Sequence, residues 1–331
     1  MNAIYKTFAL PTVVSLIVLA GVYFFFGVHE FLLASLLCVL EVTLSFDNAV
    51  VNAKVLARMD QTWQKRFLTW GILIAVVGTR LVLPILIVAA SVALSPILVA
   101  KLAFFSPEKY AELLEGSRVA ISAFGGTFLL MVSLKYFFDE AKGVHWIHFI
   151  ERHIARWGRI EAVEIALTLL VLFLIAVFVP ASAVTVLSAG ILGILIFILI
   201  QGIANSLEVE VGSVATAGGF ALFVYLNVLD AAFSLDGVVG AFAITSQLPA
   251  IIVGLGVGAY FVRSFTVYMV REKTLDGLVY LEHGAHWAIL GLAIAMFVGI
   301  FHEVPELITG FVGLVFVGTA YFSSIRFASK K

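Results

Sequence analysis

The chain has 331 residues, 62% of them hydrophobic and only 12% charged, with a mean hydropathy of +1.12. Soluble domains run at about 45–50% apolar and roughly 25% charged, so this composition excludes a soluble globular protein and places the chain in a lipid bilayer. The net charge of −1 gives no general electrostatic attraction to nucleic acid, so none is expected as a partner.

Taken in chain order, ten apolar runs predict helices at 8–27, 31–53, 68–90, 119–138, 162–180, 184–204, 214–235, 249–270, 285–301 and 306–323. Each is near the ~20 residues that a hydrocarbon core of about 30 Å requires. The first follows Lys6 and resembles a signal peptide. It is too long for a usual h-region, no small-residue cleavage site follows, and another apolar run begins at once, which predicts a retained span. The run 91–105, interrupted by Pro96, is expected either to lengthen the third helix or to lie at the interface. Cys38 sits alone in an apolar run and is read as a small hydrophobe without a disulfide partner.

A polar stretch at 139–161 carries His145, His148, Glu151 and His153 beside Trp146 and Trp157. Histidines three apart can share a helix face and hold a metal; an amphipathic interfacial helix with snorkelling cations is the plainer expectation. With the N-terminus inside, fourteen lysines and arginines fall on inner segments, against Lys101, Lys109 and Arg118 outside. That asymmetry predicts both termini on the cytoplasmic side.

The polar residues within the apolar runs are not scattered. "LEVTLSFDNAVVNA" at 40–53 and "LDAAFSLDGVVGAF" at 229–242 align without gaps. Glu41 falls on Asp230, Ser45 on Ser234, Asp47 on Asp236, and Asn48 meets Gly237. Each motif precedes an apolar helix with one arginine, Arg80 in "VVGTRLVLP" and Arg263 in "GAYFVRSFTVY". The motifs fall on the second and seventh helices, an odd separation, so they enter the membrane in opposite directions. This predicts an all-α polytopic bundle with an inverted internal repeat, in halves 1–158 and 159–331 that form one membrane domain, its site near the midplane.

On a regular helix Glu41, Ser45, Asn48 and Asn52 lie within about 40° of one another, while Asp47 points roughly 120° away from Glu41. Either each helix offers acids to two neighbours, or the backbone unwinds at "SFDN" and "SLDG", whose residues are turn formers. Unwinding of both is the favoured expectation, since broken helices are tolerated where they line a cavity.

An acid at a helix centre costs about 2.5–3.5 kcal/mol on insertion scales, and an intramembrane hydrogen bond returns only about 0.6–2 kcal/mol. Arg80 and Arg263 can neutralise two of the four acids, which leaves two for function. The candidate ligands Glu41, Ser45, Asp47, Asn48, Asp230, Ser234 and Asp236 are all oxygen donors, with no Cys–His cluster beside them. Such a set suits Mg²⁺, Ca²⁺ or Mn²⁺ as a transported ion. Protonation of the carboxylates as the ion leaves makes proton exchange a natural coupling.

No prosthetic group is expected, and no enzyme. "LEHGAHW" and "FHEVPE" lack the spacing of an HExxH metalloprotease. "AFGGTF" and "GLGVGAY" have no strand before them and no lysine in place for a phosphate loop, and are read as close helix packing.

On "EVTLSFDNAVVNA", "LDAAFSLDGVVGAFAIT" and the arginines that follow them, the chain resembles the TerC family of integral membrane proteins, in a long bacterial branch. The resemblance extends loosely over most of the chain. It implies a bacterial inner-membrane location, manganese export or metal homeostasis, and Glu41, Asp47, Asn48, Asp230, Ser234 and Asp236 around the ion. Manganese comes from the resemblance alone. Gly237 in place of Asn48 and the inserted 139–161 segment depart from the family pattern. The alternative is a non-transporting assembly or sensor protein of an envelope or metal-stress (tellurium-resistance-like) complex.

Overall fold

Without water to bond to, a backbone in lipid must satisfy its own N–H and C=O groups, and helices do this within one segment. The computed structural model describes residues 2–139, 142–160, 162–210, 215–275, 277–302 and 304–328, and among them every regular element is a helix.

The first half comprises α1 (Asn2–Phe26), α2 (Val28–Leu44), α3 (Phe46–Leu56) and α4 (Gln61–Leu73). α4 continues through a π-helical stretch, Ile74–Val82, into α5 (Leu83–Ser91). Then come α6 (Pro96–Phe105), α7 (Pro107–Gly116), α8 (Arg118–Phe137) and α9 (His148–Ala155). The second half comprises α10 (Val163–Phe178), α11 (Ala183–Glu210), α12 (Ala215–Ile244), α13 (Leu248–Arg271), α14 (Leu281–Gly299) and α15 (Glu306–Ala328).

Eight helical stretches are long and apolar enough to cross a membrane, and up to ten do if two bent pairs each count as one span. The chain is an integral membrane protein, an all-α polytopic bundle. Each of the ten expected runs corresponds to a helix or a bent pair. The run 91–105 does not lengthen the third helix: the chain turns through Ala93 at φ 53°, and α6 starts afresh where Ser95 Oγ accepts from Leu98 N at 3.2 Å.

The two bent pairs differ. α2 and α3 meet at 56° across Ser45, the break expected at "SFDN". α12, by contrast, runs without interruption through "SLDG", which corrects the expectation of a second break. The first bend is given room by Gly310, where a Cβ would collide with Leu44. α9 turns away from α10 by 105°. It therefore does not continue the course of α10.

Burial separates the centre from the lipid face. The membrane-length stretches of α8 and α13 are 72% buried, that of α1 only 17%. Phe24 and Phe25 on α1 are among the large apolar side chains left for lipid. α13 lies along α2 and α3, while α12 lies along the π-helical stretch, so each motif helix packs on the arginine-bearing helix of the other half. Gly254 and Gly258 permit the first contact: a Cβ at Gly254 would press on the Ala34 carbonyl, and one at Gly258 on the Glu41 side chain. Gly125 and Gly126 do the same for α14, where Met296 and Phe297 fill the space.

Candidate functional site

The bend at Ser45 sets the geometry of the first motif. Glu41, on the last turn of α2, is buried and ion-paired with the buried Arg80. Ser45 Oγ donates to the same carboxylate oxygen at 3.1 Å. Arg80 is turned inward by the π-helical stretch, from which its guanidinium also donates to the Ala75 carbonyl at 2.8 Å. Wide helical turns of this kind often mark functional sites. Asp47 falls in the first turn of α3, where a helix dipole favours an acid. Its Oδ1 accepts from the Asn48 backbone N–H at 2.8 Å. Asp47 is 6% exposed, and among the described residues no cation pairs with it.

The second motif is tied down differently. Asp230 is buried, and its Oδ2 accepts from Arg263 at 2.8 Å. Arg263 also donates to Asn227 Oδ1 at 3.3 Å and the Phe67 carbonyl at 3.4 Å. The other oxygen, Asp230 Oδ1, accepts from Asn48 Nδ2 at 3.0 Å, across 182 residues of sequence. This bond joins the two motifs. Ser234 is buried with no partner for its hydroxyl among the described residues. Asp236 lies on α12, but its side chain is outside the described residues.

Between the motifs lies a cavity of about 40 Å³, more than the roughly 10–15 Å³ one water needs. Glu41, Leu44, Ser45, Asp47 and Asn48 line it from the first motif, and Phe233 and Gly237 from the second. Leu292 of α14 and Thr309 and Gly310 of α15 complete the wall. Four of the seven predicted ligands thus face one space, and Asp230 stands behind Asn48. Ser234 is not part of the wall.

The arginines divide the acids. Glu41 is paired with Arg80 and Asp230 with Arg263, and among the described motif side chains Asp47 brings a carboxylate without a cation. Asn48 Oδ1 is buried without a partner among the described residues. Among the described residues no group of three His, Cys, Asp or Glu side chains is placed to hold a metal. As arranged, the cavity offers a carboxylate, an amide oxygen and a hydroxyl, hard donors that suit a small cation.

A second polar cluster escaped the sequence reading. Glu151 on α9 is 1% exposed. It accepts from His283 Nδ1 at 2.7 Å, Trp287 Nε1 at 2.9 Å, and the backbone N–H groups of Trp146 at 3.1 Å and Ile147 at 3.3 Å. Burial alone pushes its carboxyl up, but the bonds from His283 and Trp287, the His283 charge and the Ile147 N–H prevail and hold it at about 2. α9 therefore docks through a carboxylate onto α14, while Phe149 on its other side is exposed. His286, one turn below, stacks on Tyr136 at 3.6 Å. The signal in the sequence was "LEHGAHW", whose His283 bonds a distant acid.

The model of the family described as protein of unknown function (DUF475) matches residues 46–331. That range takes in Asp47, Asn48 and the whole second motif. No curated protein and no solved structure matches the chain.

Proposed function

The chain belongs to the DUF475 family, and we propose that it is a secondary transporter of a divalent metal cation, with Mn²⁺ foremost and Ca²⁺ or Mg²⁺ after it. One observation carries the reading. The Asn48–Asp230 bond joins two motifs, from opposite halves of the chain, beside a small cavity whose carboxylate at Asp47 has no cation of its own among the described residues. A buried charge has to be neutralised, and a proton and a cation can take turns at it, which couples their movements in opposite directions. The crossed packing of motif helices and arginine helices fits an inverted repeat with its site at the interface. The preference for manganese rests on the resemblance to the TerC family. The distribution of lysines and arginines supports both termini on the cytoplasmic side, and the bacterial inner-membrane location rests on the same resemblance.

A second reading draws on the arginines. Because Arg80 and Arg263 already neutralise two of the acids, the polar junction could serve assembly or sensing without flux. Uptake of Mn²⁺, Ca²⁺ and Mg²⁺ into proteoliposomes separates the two. Saturable flux that is lost in Asp47→Asn and in Asp236→Asn is the expected result. No flux of any ion by well-folded wild-type protein would overturn the transporter and leave the assembly or sensor role.

A further inference from the structure

Three cavities lie in series along the same helices. The central one, at Asp47, shares Leu44 and Thr309 with an apolar cavity of about 660 Å³ that reaches Arg118 at the start of α8 and Pro305 before α15. On its other side stands a polar cavity of about 600 Å³, walled in part by Arg58, Tyr225 and His286. The central and polar cavities share no wall residue. Both touch the same three elements, however: Leu292 and His286 on α14, Phe233 and Tyr225 on α12, Asn48 on α3 and Arg58 just beyond its end. At 1.5 Å per residue those separations of six, eight and ten positions are about 9, 12 and 15 Å. The central cavity thus adjoins one vestibule and is sealed from the other by about two helical turns.

Along this seal the buried side chains of α3, α12 and α14 are mostly apolar, and among the described residues Asn227, Asp230 and Asn52 are the buried polar ones. Asn227 and Asp230 are bonded to Arg263. The third, Asn52, is 0% exposed, and neither its amide oxygen nor its amide nitrogen has a partner among the described residues. It stands one helical turn from Asn48 on the same face of α3. A buried amide without a partner is a cost to the fold that an apolar side chain of similar size avoids, so packing does not explain its presence.

We infer that Asn52 is a further ligand of the transport path, whose amide oxygen takes the cation between the Asp47 cavity and the vestibule at Arg58 and His286. The inference rests on the transporter reading and adds a direction to it: the structure is closed on the Asn52 side, and the seal opens past this amide. Asn52 is not needed to hold the ion at Asp47, only to pass it on.

The test separates holding from passing. Mn²⁺ binding to purified protein, read by loss of the free-ion paramagnetic signal, is compared with Mn²⁺ flux in proteoliposomes. Asn52→Leu is expected to bind Mn²⁺ as wild type does, to unfold at the same temperature or higher, and to move the ion about tenfold more slowly or worse. Asp47→Asn is expected to lose both binding and flux. Asn52→Leu with wild-type flux overturns this inference and leaves the transporter standing. Wild type that neither binds nor moves Mn²⁺, Ca²⁺ or Mg²⁺ overturns both.

Should Asn52→Leu fail to fold, Asn52→Cys with Cys38→Ala decides. Modification of this cysteine by a small methanethiosulfonate during flux, slowed by Mn²⁺, is the expected result. Modification indifferent to Mn²⁺, or none during flux, overturns the inference.

Discussion

A buried arginine beside a buried glutamate adds little net stability as a pair, yet losing one partner strands the other's charge. Arg80→Met is therefore expected to destabilise the protein by about 3–5 kcal/mol, because Glu41 stays buried with only the Ser45 hydroxyl and the cavity around it. Converting Glu41 to Gln in the same chain should recover much of the loss, and chemical unfolding in detergent reads both. Asp47 behaves in the opposite way. It has no cation to strand, so Asp47→Asn keeps the shape, removes a costly charge, and should leave stability unchanged or raised while flux disappears. That split between stability and transport distinguishes a ligand from a structural acid. It is measured by running the unfolding curve on the same preparation used for uptake.

The elements are placed by what their surfaces lack. α13 reaches α2 because Gly254 and Gly258 present no side chain there. Gly258→Val would drive a branched side chain into Glu41 and push the ion pair off Arg80. Overpacking of this kind typically costs about 1–3 kcal/mol. The expected outcome is lower thermal stability together with impaired flux, since the α2–α3 bend and the motif it carries rest on that contact. The bend itself matters for a geometric reason. On an unbroken helix Glu41 and Asp47 point roughly 120° apart, and the 56° turn at Ser45 lies between them where both line one cavity.

At the scale of the molecule, the Glu151 carboxylate ties the α9 segment to the central bundle. Glu151 is held at about 2, below its ordinary value of 4.5, chiefly because hydrogen bonds to its charged form outweigh its burial. A carboxyl whose value is depressed on folding contributes stability that is fully present above its unfolded value and is lost as pH falls through the folded one. The docking of α9 on α14 should therefore hold above pH 4.5 and weaken as pH falls from there toward 2. Hydrogen exchange of the backbone at 145–155 reads this directly. Protection should fall in that window for wild type, and should already be reduced at neutral pH for Glu151→Ala. Since Tyr136 and His286 belong both to this cluster and to the polar vestibule, release of α9 alters the mouth of the path closed at Asn52.

The number and order of the spans, the membrane setting and the paired polar motifs are properties of the sequence by itself. Each is local: the length of an apolar run, and acids repeated at fixed spacing within two of them. Tertiary structure decided the rest. That Asn48 reaches Asp230, that Arg80 pairs with Glu41 and Arg263 with Asp230, and that Glu151 serves His283 across 132 residues depend on which helices approach. Glycines and bends on distant segments set that approach. The break at Ser45 and its absence at Ser234 make the same point: similar motifs take different backbones, and at the first Leu44 packs where Gly310 carries no side chain. Neighbours settle a conformation that local propensity leaves open, because helix packing outweighs the small preference of a few turn-forming residues.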